Sequence, residues 1–378
     1  MASDVTQSTL PPAHPLAAEA SEAGEWGTRA RQIAETMAIT AFAILATAAL
    51  FALFLLALGK SPATFFSLLW RGGFGTAFSL QNALVRSAPL IFTALVVAIP
   101  AQLGLVVIGG EGALVIGGFA AACAALPFHG GNPFGLATLA MLAAAIMTGA
   151  VWIGLVGALK HYRGVNETIS SLLMSYLAIA TMNFFVDGPL RDPASPNKSS
   201  TLPIGEANSV GNIGSSSVHW GLAVGVVVAL LAWLLMRRTT FGFAARMTGG
   251  NVRAAKAQGL PVGRLIITAT AIAGACAGLA GYFEVAAVQG RANASLVAGY
   301  GFSGILVSFL SRHNPLAIVP VAILAGGLAA AGGLIQRRMD LPDATVLLLQ
   351  ATLFIVLLVS ETLYGRMPLF RAPRALSV

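Results

Sequence analysis

A series of about ten apolar segments constrains this chain more than any other feature of its sequence. The segments lie at residues 37–58, 84–101, 104–127, 135–158, 167–186, 217–236, 265–288, 300–310, 316–336 and 344–362. The first would span about 33 Å as an α-helix, enough to cross the hydrocarbon core of a bilayer. The segment at 300–310 is too short to cross alone. The sequence therefore predicts an all-α polytopic membrane protein with about ten transmembrane helices, including a broken or re-entrant segment.

The distribution of charge supports a lipid environment. Charged residues make up 10% of the 378 residues, whereas a soluble domain carries about 25%. The net charge of +8 and the pI near 10.1 would suit a nucleic-acid partner. The basic residues, however, lie at the ends of apolar segments and in short loops, which is typical of membrane topology. We therefore expect contact with membrane lipid and no nucleic-acid partner.

The same basic residues predict the orientation of the chain. With the N-terminus in the cytoplasm, 14 basic residues lie inside and 7 lie outside. The inner ones are Arg29, Arg31, Lys160, Arg163, Arg237, Arg238, Arg246, Arg253, Lys256, Arg264, Arg312, Arg366, Arg371 and Arg374. The outer ones are Lys60, Arg71, Arg191, Lys198, Arg291, Arg337 and Arg338. The excess of positive charge inside predicts that both termini are cytoplasmic.

Composition divides the chain into a membrane domain and two tails. Residues 1–35 are polar and proline-containing, and we expect a disordered cytoplasmic tail there. Residues 36–365 form the predicted membrane domain, and residues 366–378 form a second cytoplasmic tail. Within the domain, residues 187–216 have turn chemistry throughout and are the longest predicted outer loop. Residues 237–264 are the longest predicted inner loop.

The inner loop contains a short predicted helix, both ends of which can be identified from the sequence. Asn251 is a good N-cap, and the stretch VRAAKAQ provides two turns. Gly259 can take the left-handed conformation that ends a helix, and Pro261 prevents continuation. We therefore expect a helix over residues 251–259.

Two glycine-containing motifs resemble nucleotide sites but lack the required context. GYGFSG at 299–304 matches G-x-G-x-x-G, yet a loop precedes it where a dinucleotide site needs a strand. GKS at 59–61 lacks the first P-loop glycine, because that position is Phe54. The five histidines have no metal-ligand spacing. We expect no cofactor or metal in this chain.

GFSG within the same motif suggests a second alternative, an intramembrane enzyme with Ser303 as nucleophile. Such a serine needs a histidine base within hydrogen-bond distance, and His313 lies in the next loop. We keep this as a minor hypothesis and expect no enzymatic activity of the chain itself.

Few ionisable or strongly polar residues lie inside the apolar segments, and these are candidates for a pathway or for interior contacts. Glu111 lies in VVIGGEGALVIGG, where glycines favour a helix break. It could carry a proton, touch a substrate, or hold the break by hydrogen bonds to neighbouring spans, which we favour. Asn166 and Glu167 begin a span and could be simple capping residues. Glu284 lies near the predicted outer end of its span.

Small residues predict close helix contacts. In GACAGLAG, Gly274, Gly278 and Gly281 share one helix face. Such faces let helix backbones approach closely in lipid. We assign these glycines to helix packing.

The stretch TTFGFAARMTGGNVRAAKAQGLPVGR carries a family resemblance. It resembles the cytoplasmic coupling segment of bacterial ABC-importer inner-membrane permeases of the ribose and nucleoside type. The matching positions are Thr239, Gly242, Arg246, Gly249, Asn251, Ala254, Ala255 and Gly259. GVNETISSLLMSYLA is similar to a segment of the nucleoside branch, and GGEG and GYGFSGILVSFLSRHNP resemble further family segments. Val107 and Ala113 depart from residues common in the family.

The resemblance implies one half of an importer in the bacterial inner membrane. Its implied partners are a second identical or homologous permease subunit, a cytoplasmic ABC ATPase that binds ATP, and a periplasmic or lipid-anchored solute-binding protein. The implied coupling residues are Arg246, Gly249, Asn251, Arg253, Ala254, Ala255, Lys256 and Gly259. The alanines can seat in a groove of the ATPase, and the basic residues supply charge complementarity.

The implied substrate is a nucleoside or a related purine compound, with a ribose-like sugar as the alternative. A proton-coupled secondary transporter that uses Glu111 or Glu284 is the remaining hypothesis.

Overall fold

The computed structural model describes residues 15–128, 135–195, 197–342 and 344–361. In these ranges the chain is all-α, with two isolated β-bridges and no strand. The helices are α1 (Pro15–Ala57), α2 (Pro62–Gly73), α3 (Ala77–Ala101), α4 (Gly110–Ala125), α5 (Leu136–Arg163), α6 (Glu167–Asp187), α7 (Gly221–Arg238), α8 (Thr240–Gly250), α9 (Val252–Ala257), α10 (Val262–Phe283), α11 (Tyr300–Leu310), α12 (Pro315–Met339) and α13 (Ala344–Glu361).

Eight of the described helical segments are long and apolar enough to cross a membrane. Two shorter apolar segments, Ala294–Leu310 and Ala344–Ser360, complete the set. The prediction of an all-α polytopic membrane protein is confirmed. The short element at 300–310 is also present, because α11 has 11 residues and would extend only about 16 Å.

Three elements differ from the expectation. Helix α1 begins at Pro15, inside the segment that the sequence assigns to a tail. This segment is rich in alanine and glutamate, which favour a helix that continues into the apolar span. Residues 1–14 and the predicted tail at 366–378 lie outside the described residues. Helices α2 and α8 were not predicted, although Ser61 before Pro62 is a recognisable helix start.

The chain divides into two compact units by its internal contacts. Among the described residues, one unit comprises residues 15–58 and 352–361, and the other comprises those between 59 and 351. In the first unit, the buried α1 residues Ile39, Ala43, Phe51 and Leu55 recur at steps of four or eight positions and form a stripe that winds slowly around the helix.

Helix α3 is the centre of the larger unit. Residues 87–100 are all buried, and α3 packs against α7, α10, α11 and α12. Pro89 and Pro100 lie inside this helix. At one end of the unit, the Lys60 ammonium donates to the carbonyl of Met339 at 2.7 Å. The GKS stretch thus has a structural role in joining the start of α2 to the end of α12.

Glycines set the contacts of α10 with α5 and α4. A Cβ on Gly274 would strike the carbonyl oxygen of Gly149, and one on Gly278 would strike that of Ala145 in α5. A Cβ on Gly281 would strike the carbonyl oxygen of Leu114 in α4. The three glycines assigned to helix packing therefore lie where two backbones are in direct contact, an arrangement that strengthens van der Waals attraction between helices in lipid.

The long loop after α6 is anchored to the segment after α10. Asp192 pairs with Arg291 at 3.7 Å, and Ser200 forms an isolated antiparallel bridge with Asn293. The Thr201 amide donates to the carbonyl of Ala292 at 2.9 Å. These contacts give the described part of residues 187–216 a defined conformation without helices longer than one turn.

Candidate functional site

A helix break precedes Glu111, as the glycines predict. Helix α3 ends at Ala101, α4 begins at Gly110, and residues 102–109 between them are not helical. Non-helical backbone at this depth needs partners from the protein, since lipid offers none. One face of α6 provides them. The contacts are Thr168 Oγ1 to the Val106 carbonyl (2.8 Å), the Ile108 amide to Ser171 Oγ (3.0 Å) and the Gly112 amide to Ser175 Oγ (3.3 Å).

The three hydroxyl residues of α6 were not identified from the sequence. Thr168, Ser171 and Ser175 are spaced by three and four positions, so they lie on one helix face. Ser171 and Ser175 are almost completely buried. A polar stripe on an otherwise apolar span is a readable signal for irregular backbone nearby, and it could have identified the partner of the break.

Glu111 is completely buried and caps a second helix. One carboxylate oxygen accepts a hydrogen bond from the Gly299 amide at 2.7 Å, and the other accepts from the Gly301 amide at 2.5 Å. Both amides belong to the start of α11, whose free N–H groups carry partial positive charge. Glu111 itself lies in the first turn of α4. The carboxylate therefore lies where the N-terminal ends of two short helices meet.

The glycines of GYGFSG explain this close approach. Gly299 has a φ of +78°, which suits glycine, and it precedes the first turn of α11. A Cβ on Gly301 would collide with the backbone of Glu111, and one on Gly304 would collide with Thr93 in α3. The motif thus forms an anion-binding helix start whose anion is a side chain of the same chain.

Glu284 lies beside this junction and is 4% exposed. It begins a π-helical turn, Glu284–Gln289, at the end of α10. Its charge interacts with those of Arg86 and Glu111, and its carboxylate hydrogen-bonds the Gln289 side chain. The structure therefore brings together Glu111 and Glu284, two of the four predicted interior residues, and adds Arg86 from α3.

Asn166 and Glu167 lie elsewhere, at the turn between α5 and α6. The Asn166 side chain caps α6 by accepting from the amides of Thr168 and Ile169 at 2.9 and 3.1 Å. Glu167 pairs with Lys160 in the last turn of α5 at 2.7 Å. Glu167 also accepts a hydrogen bond from the Val106 backbone, in the non-helical segment before α4. Capping and ion pairing thus give both residues a structural role at this turn, and a role in the pathway stays a prediction.

Ser303 does not have the partner that a nucleophile needs. Its hydroxyl donates to the Gln350 side chain at 3.3 Å. The nearby histidine, His313, instead hydrogen-bonds Ser308 through Nδ1 at 2.9 Å. The geometry gives no support to an intramembrane enzyme that uses Ser303.

The short helix predicted in the inner loop is present as α9. The Asn251 side chain accepts from the amides of Arg253 and Ala254 at 3.0 and 3.1 Å. Gly259 is left-handed at φ +78°, and the following amide returns to the carbonyl of Ala255 at 3.1 Å. The sequence thus located both ends of this helix correctly.

One residue assigned to coupling does not face outward. The Ala255 side chain is 1% exposed, so it packs inside the protein and is not free to enter a partner's groove. This assignment needs correction, because a pattern of small residues does not show which of them the protein's own helices cover. Arg246 is half-buried, and its guanidinium donates to the Met236 carbonyl and ties α8 to the end of α7. Its coupling role stays a prediction. The exposed α9 residues are Val252, Arg253, Ala254, Lys256 and Ala257.

Gly249 joins this loop to the helix break. A Cβ at Gly249 would collide with the Gln102 carbonyl, and the Gly249 carbonyl lies 3.5 Å from the position of a Cβ on Gly104. The Gln102 side chain in turn donates to the His313 carbonyl, in the turn between α11 and α12, at 3.4 Å. The segment before Glu111 therefore touches both the α8–α9 loop and the far end of α11.

A polytopic all-α domain with a broken interior helix and an exposed, capped helix at one end defines a membrane transport subunit. The chain belongs to the family described as "Branched-chain amino acid transport system / permease component", whose sequence model matches residues 79–358. This match confirms the resemblance of the sequence to ABC-importer permeases of the ribose and nucleoside type.

Curated relatives agree with the family. The chain is 33% identical over 289 residues to the guanosine ABC transporter permease protein NupP of Bacillus subtilis, covering 73% of this chain and 80% of that protein. It is 29% identical over 332 residues to the glucose ABC transporter permease protein TsgB13 of Haloferax volcanii, covering 84% and 86%. It is 25% identical over 286 residues to the nucleoside ABC transporter permease protein NupB of Lactococcus lactis, covering 72% and 77%.

Proposed function

We propose that the chain is the pore-forming subunit of an ATP-driven importer and that its substrate is a nucleoside. The observation that carries this proposal is the capped helix α9, which presents Arg253, Ala254, Lys256 and Ala257 to solvent. A short helix with small and basic exposed residues suits docking into a groove of a cytoplasmic ATPase. ATP is bound by that partner, and this chain contributes the pathway.

The contacts around Gly249 support a route from the ATPase to the membrane interior. Movement of α9 would displace Gly249, which lies against residues 102–104. Those residues lead directly into the break and to Glu111, whose carboxylate holds the start of α11. Because packed interfaces switch between discrete arrangements, a small displacement at α9 can shift α11 and α4 as units.

The opposite end of the larger unit supplies a surface for a solute-binding protein. The loop that contains Asp192 and Ser200 is anchored to residues 290–296 and has a defined conformation. We infer that this end faces the outside of the bacterial inner membrane and that the α9 end faces the cytoplasm. A second copy of the chain, or a homologous permease, completes the pore.

Guanosine is our first candidate substrate, because NupP is the relative with the highest identity among those described above. The longer match to TsgB13 favours glucose or another simple sugar as the second candidate. A proton-coupled transporter that uses Glu111 is disfavoured, since both oxygens of Glu111 accept from backbone amides and the carboxylate is completely buried.

A ligand screen on the cognate solute-binding protein tests the substrate. We expect guanosine or another purine nucleoside to raise the melting temperature of that protein, with no effect of glucose or ribose. A response to sugars alone would replace the nucleoside by a sugar and leave the rest of the proposal unchanged. The uptake of the same compounds by the reconstituted importer then confirms the ranking.

A further inference from the structure

A small polar cavity lies between α3, α11, α12 and α13 in the larger unit. Its volume is about 100 Å³, enough for roughly three water molecules at their share of liquid volume. Four of its nine lining residues carry polar side chains, namely Arg86, Tyr300, Ser303 and Gln350. A cavity left by imperfect packing would be lined by apolar groups and would stay dry, whereas this one can bind a hydrogen-bonding ligand.

Arg86 is the one charged residue among the nine that line the cavity. It lies in the tenth position of α3, inside a candidate span, and its side chain is exposed. A cation in a span is expensive unless it faces a wet space or a counter-charge. Arg86 has both, because it lines the cavity and interacts electrostatically with Glu284.

The backbone beside the cavity is also irregular. The π-helical turn begins at Glu284, which lies within electrostatic range of Arg86 and of the Tyr300 hydroxyl. Short π-helical turns within α-helices occur frequently at functional sites. The π-turn and the polar cavity are independent observations, and both mark the same region next to the Glu111 junction.

We propose that this cavity is a constriction of the transport pathway at which the solute is bound through Arg86, Ser303 and Gln350. The inference rests on the importer function proposed above and assigns it a specific contact point. The guanidinium offers a planar set of donors, and the Ser303–Gln350 pair offers an amide and a hydroxyl. These groups fit the ring edge of a base or the hydroxyls of a sugar.

Charge balance restricts the solute to uncharged molecules. The cation of Arg86 interacts electrostatically with the carboxylate of Glu284, and the carboxylate of Glu111 is compensated by two helix N-terminal amides. The region therefore has no excess positive charge to hold a phosphate. The volume is smaller than the ~300 Å³ or more of typical ligand pockets, so the pathway must widen here during transport.

The test uses the complete importer, with its ATPase and solute-binding protein, in proteoliposomes. Uptake of radiolabelled guanosine and of glucose is measured together with ATP hydrolysis. For Arg86→Gln we expect the solute transported per ATP to fall about tenfold, because one charge-assisted contact is lost. The solute transported per ATP should also fall in Gln350→Leu. In Arg86→Lys it should lie between the values for wild type and for Arg86→Gln, since lysine keeps the charge but not the planar set of donors.

The matched control is Arg71→Gln, a basic residue in α2 that does not line the cavity. Wild-type transport per ATP in both Arg86→Gln and Gln350→Leu would overturn the inference. So would an equal loss in the Arg71 control. Failure of the wild-type importer to take up either solute would instead overturn the proposed function.

Discussion

At the scale of single residues, Glu111 is the clearest example of a buried charge that the fold stabilises. The residue has no exposed surface, yet its two oxygens accept from the amides of Gly299 and Gly301. Those amides have no helical partner of their own at the start of α11. The carboxylate and the helix start therefore satisfy each other, which is why glycines surround both.

We expect Glu111→Ala to destabilise the protein more than Glu111→Gln. Alanine leaves the buried Gly301 amide and the part-buried Gly299 amide without this acceptor, at a cost of about 1–3 kcal/mol for a buried one, whereas glutamine retains one acceptor. The melting temperature in detergent should decrease from wild type to Gln to Ala. The exposed Glu206→Gln is the control. A Gln variant as stable as wild type would show that the charge is not needed to hold the break.

Two histidines outside the spans predict the pH dependence of stability. Burial lowers the pKa of His219, an effect that the nearby Val85 carbonyl partly offsets, and burial also lowers the pKa of His313. The unfolded chain therefore binds protons first as the pH falls below about 6.5. The stability should be constant above this pH and should decrease below it.

The measurement is the melting temperature in detergent at a series of pH values. His219→Gln keeps an acceptor for the Gly221 amide, which now donates to Nδ1 at 3.1 Å. The melting temperature of His219→Gln should therefore decrease less steeply at low pH than that of wild type. That of the double variant with His313→Gln should decrease less steeply still. An unchanged acid slope in the double variant would assign the slope to other groups.

At the scale of elements, the spans and the ends of α9 could be read from the sequence. Long apolar segments and the N-cap Asn251 are local signals, and local signals were sufficient. The sequence did not show that α6 is the partner of the break, because the hydrogen bonds that Ser171 and Ser175 accept from the Ile108 and Gly112 amides depend on tertiary contact. The inward face of Ala255 was missed for the same reason.

Two substitutions in α9 should separate an effect on docking from an effect on folding. We expect Ala254→Glu, at an exposed position, to lower uptake per ATP while the melting temperature stays near wild type. Ala255→Glu, at a buried position, should lower the melting temperature itself, because it buries a charge without a partner. Normal coupling in a stably folded Ala254→Glu protein would remove α9 from the proposed docking surface.

Two glycines of α5 should respond differently to substitution by alanine, because their distances to α10 differ. A Cβ at Gly149 would collide with the carbonyl of Gly274, whereas one at Gly154 would lie 3.5 Å from the Ala271 side chain. We expect Gly149→Ala to destabilise by about 1–3 kcal/mol, in the range of overpacked cores. Gly154→Ala should be neutral or stabilising, because alanine favours helix. Equal melting temperatures for the two variants would contradict the described packing.

At the scale of the whole molecule, the larger unit contains a connected set of contacts from α9 to the interior. Gly249 meets residues 102–104, these lead to Glu111, and Glu111 holds α11. The cavity beside α11 is lined by Arg86 and Gln350. The sequence identified the two ends of this route, the inner loop and Glu111. It did not identify the connection, which depends on a close approach between residues separated by more than a hundred positions.

The central claim is that an ATPase acts through α9 to drive solute through this chain. Its most direct test is ATP-dependent guanosine uptake into proteoliposomes that contain the importer and its solute-binding protein. The double variant Arg253→Glu and Lys256→Glu reverses the exposed charges of α9, and we predict that it loses about tenfold or more of the uptake through weakened docking. Arg163→Glu, an exposed basic residue at the end of α5, should transport like wild type. Uptake at the wild-type rate by the double variant, or uptake by this chain alone under a pH gradient without the ATPase, would contradict the account.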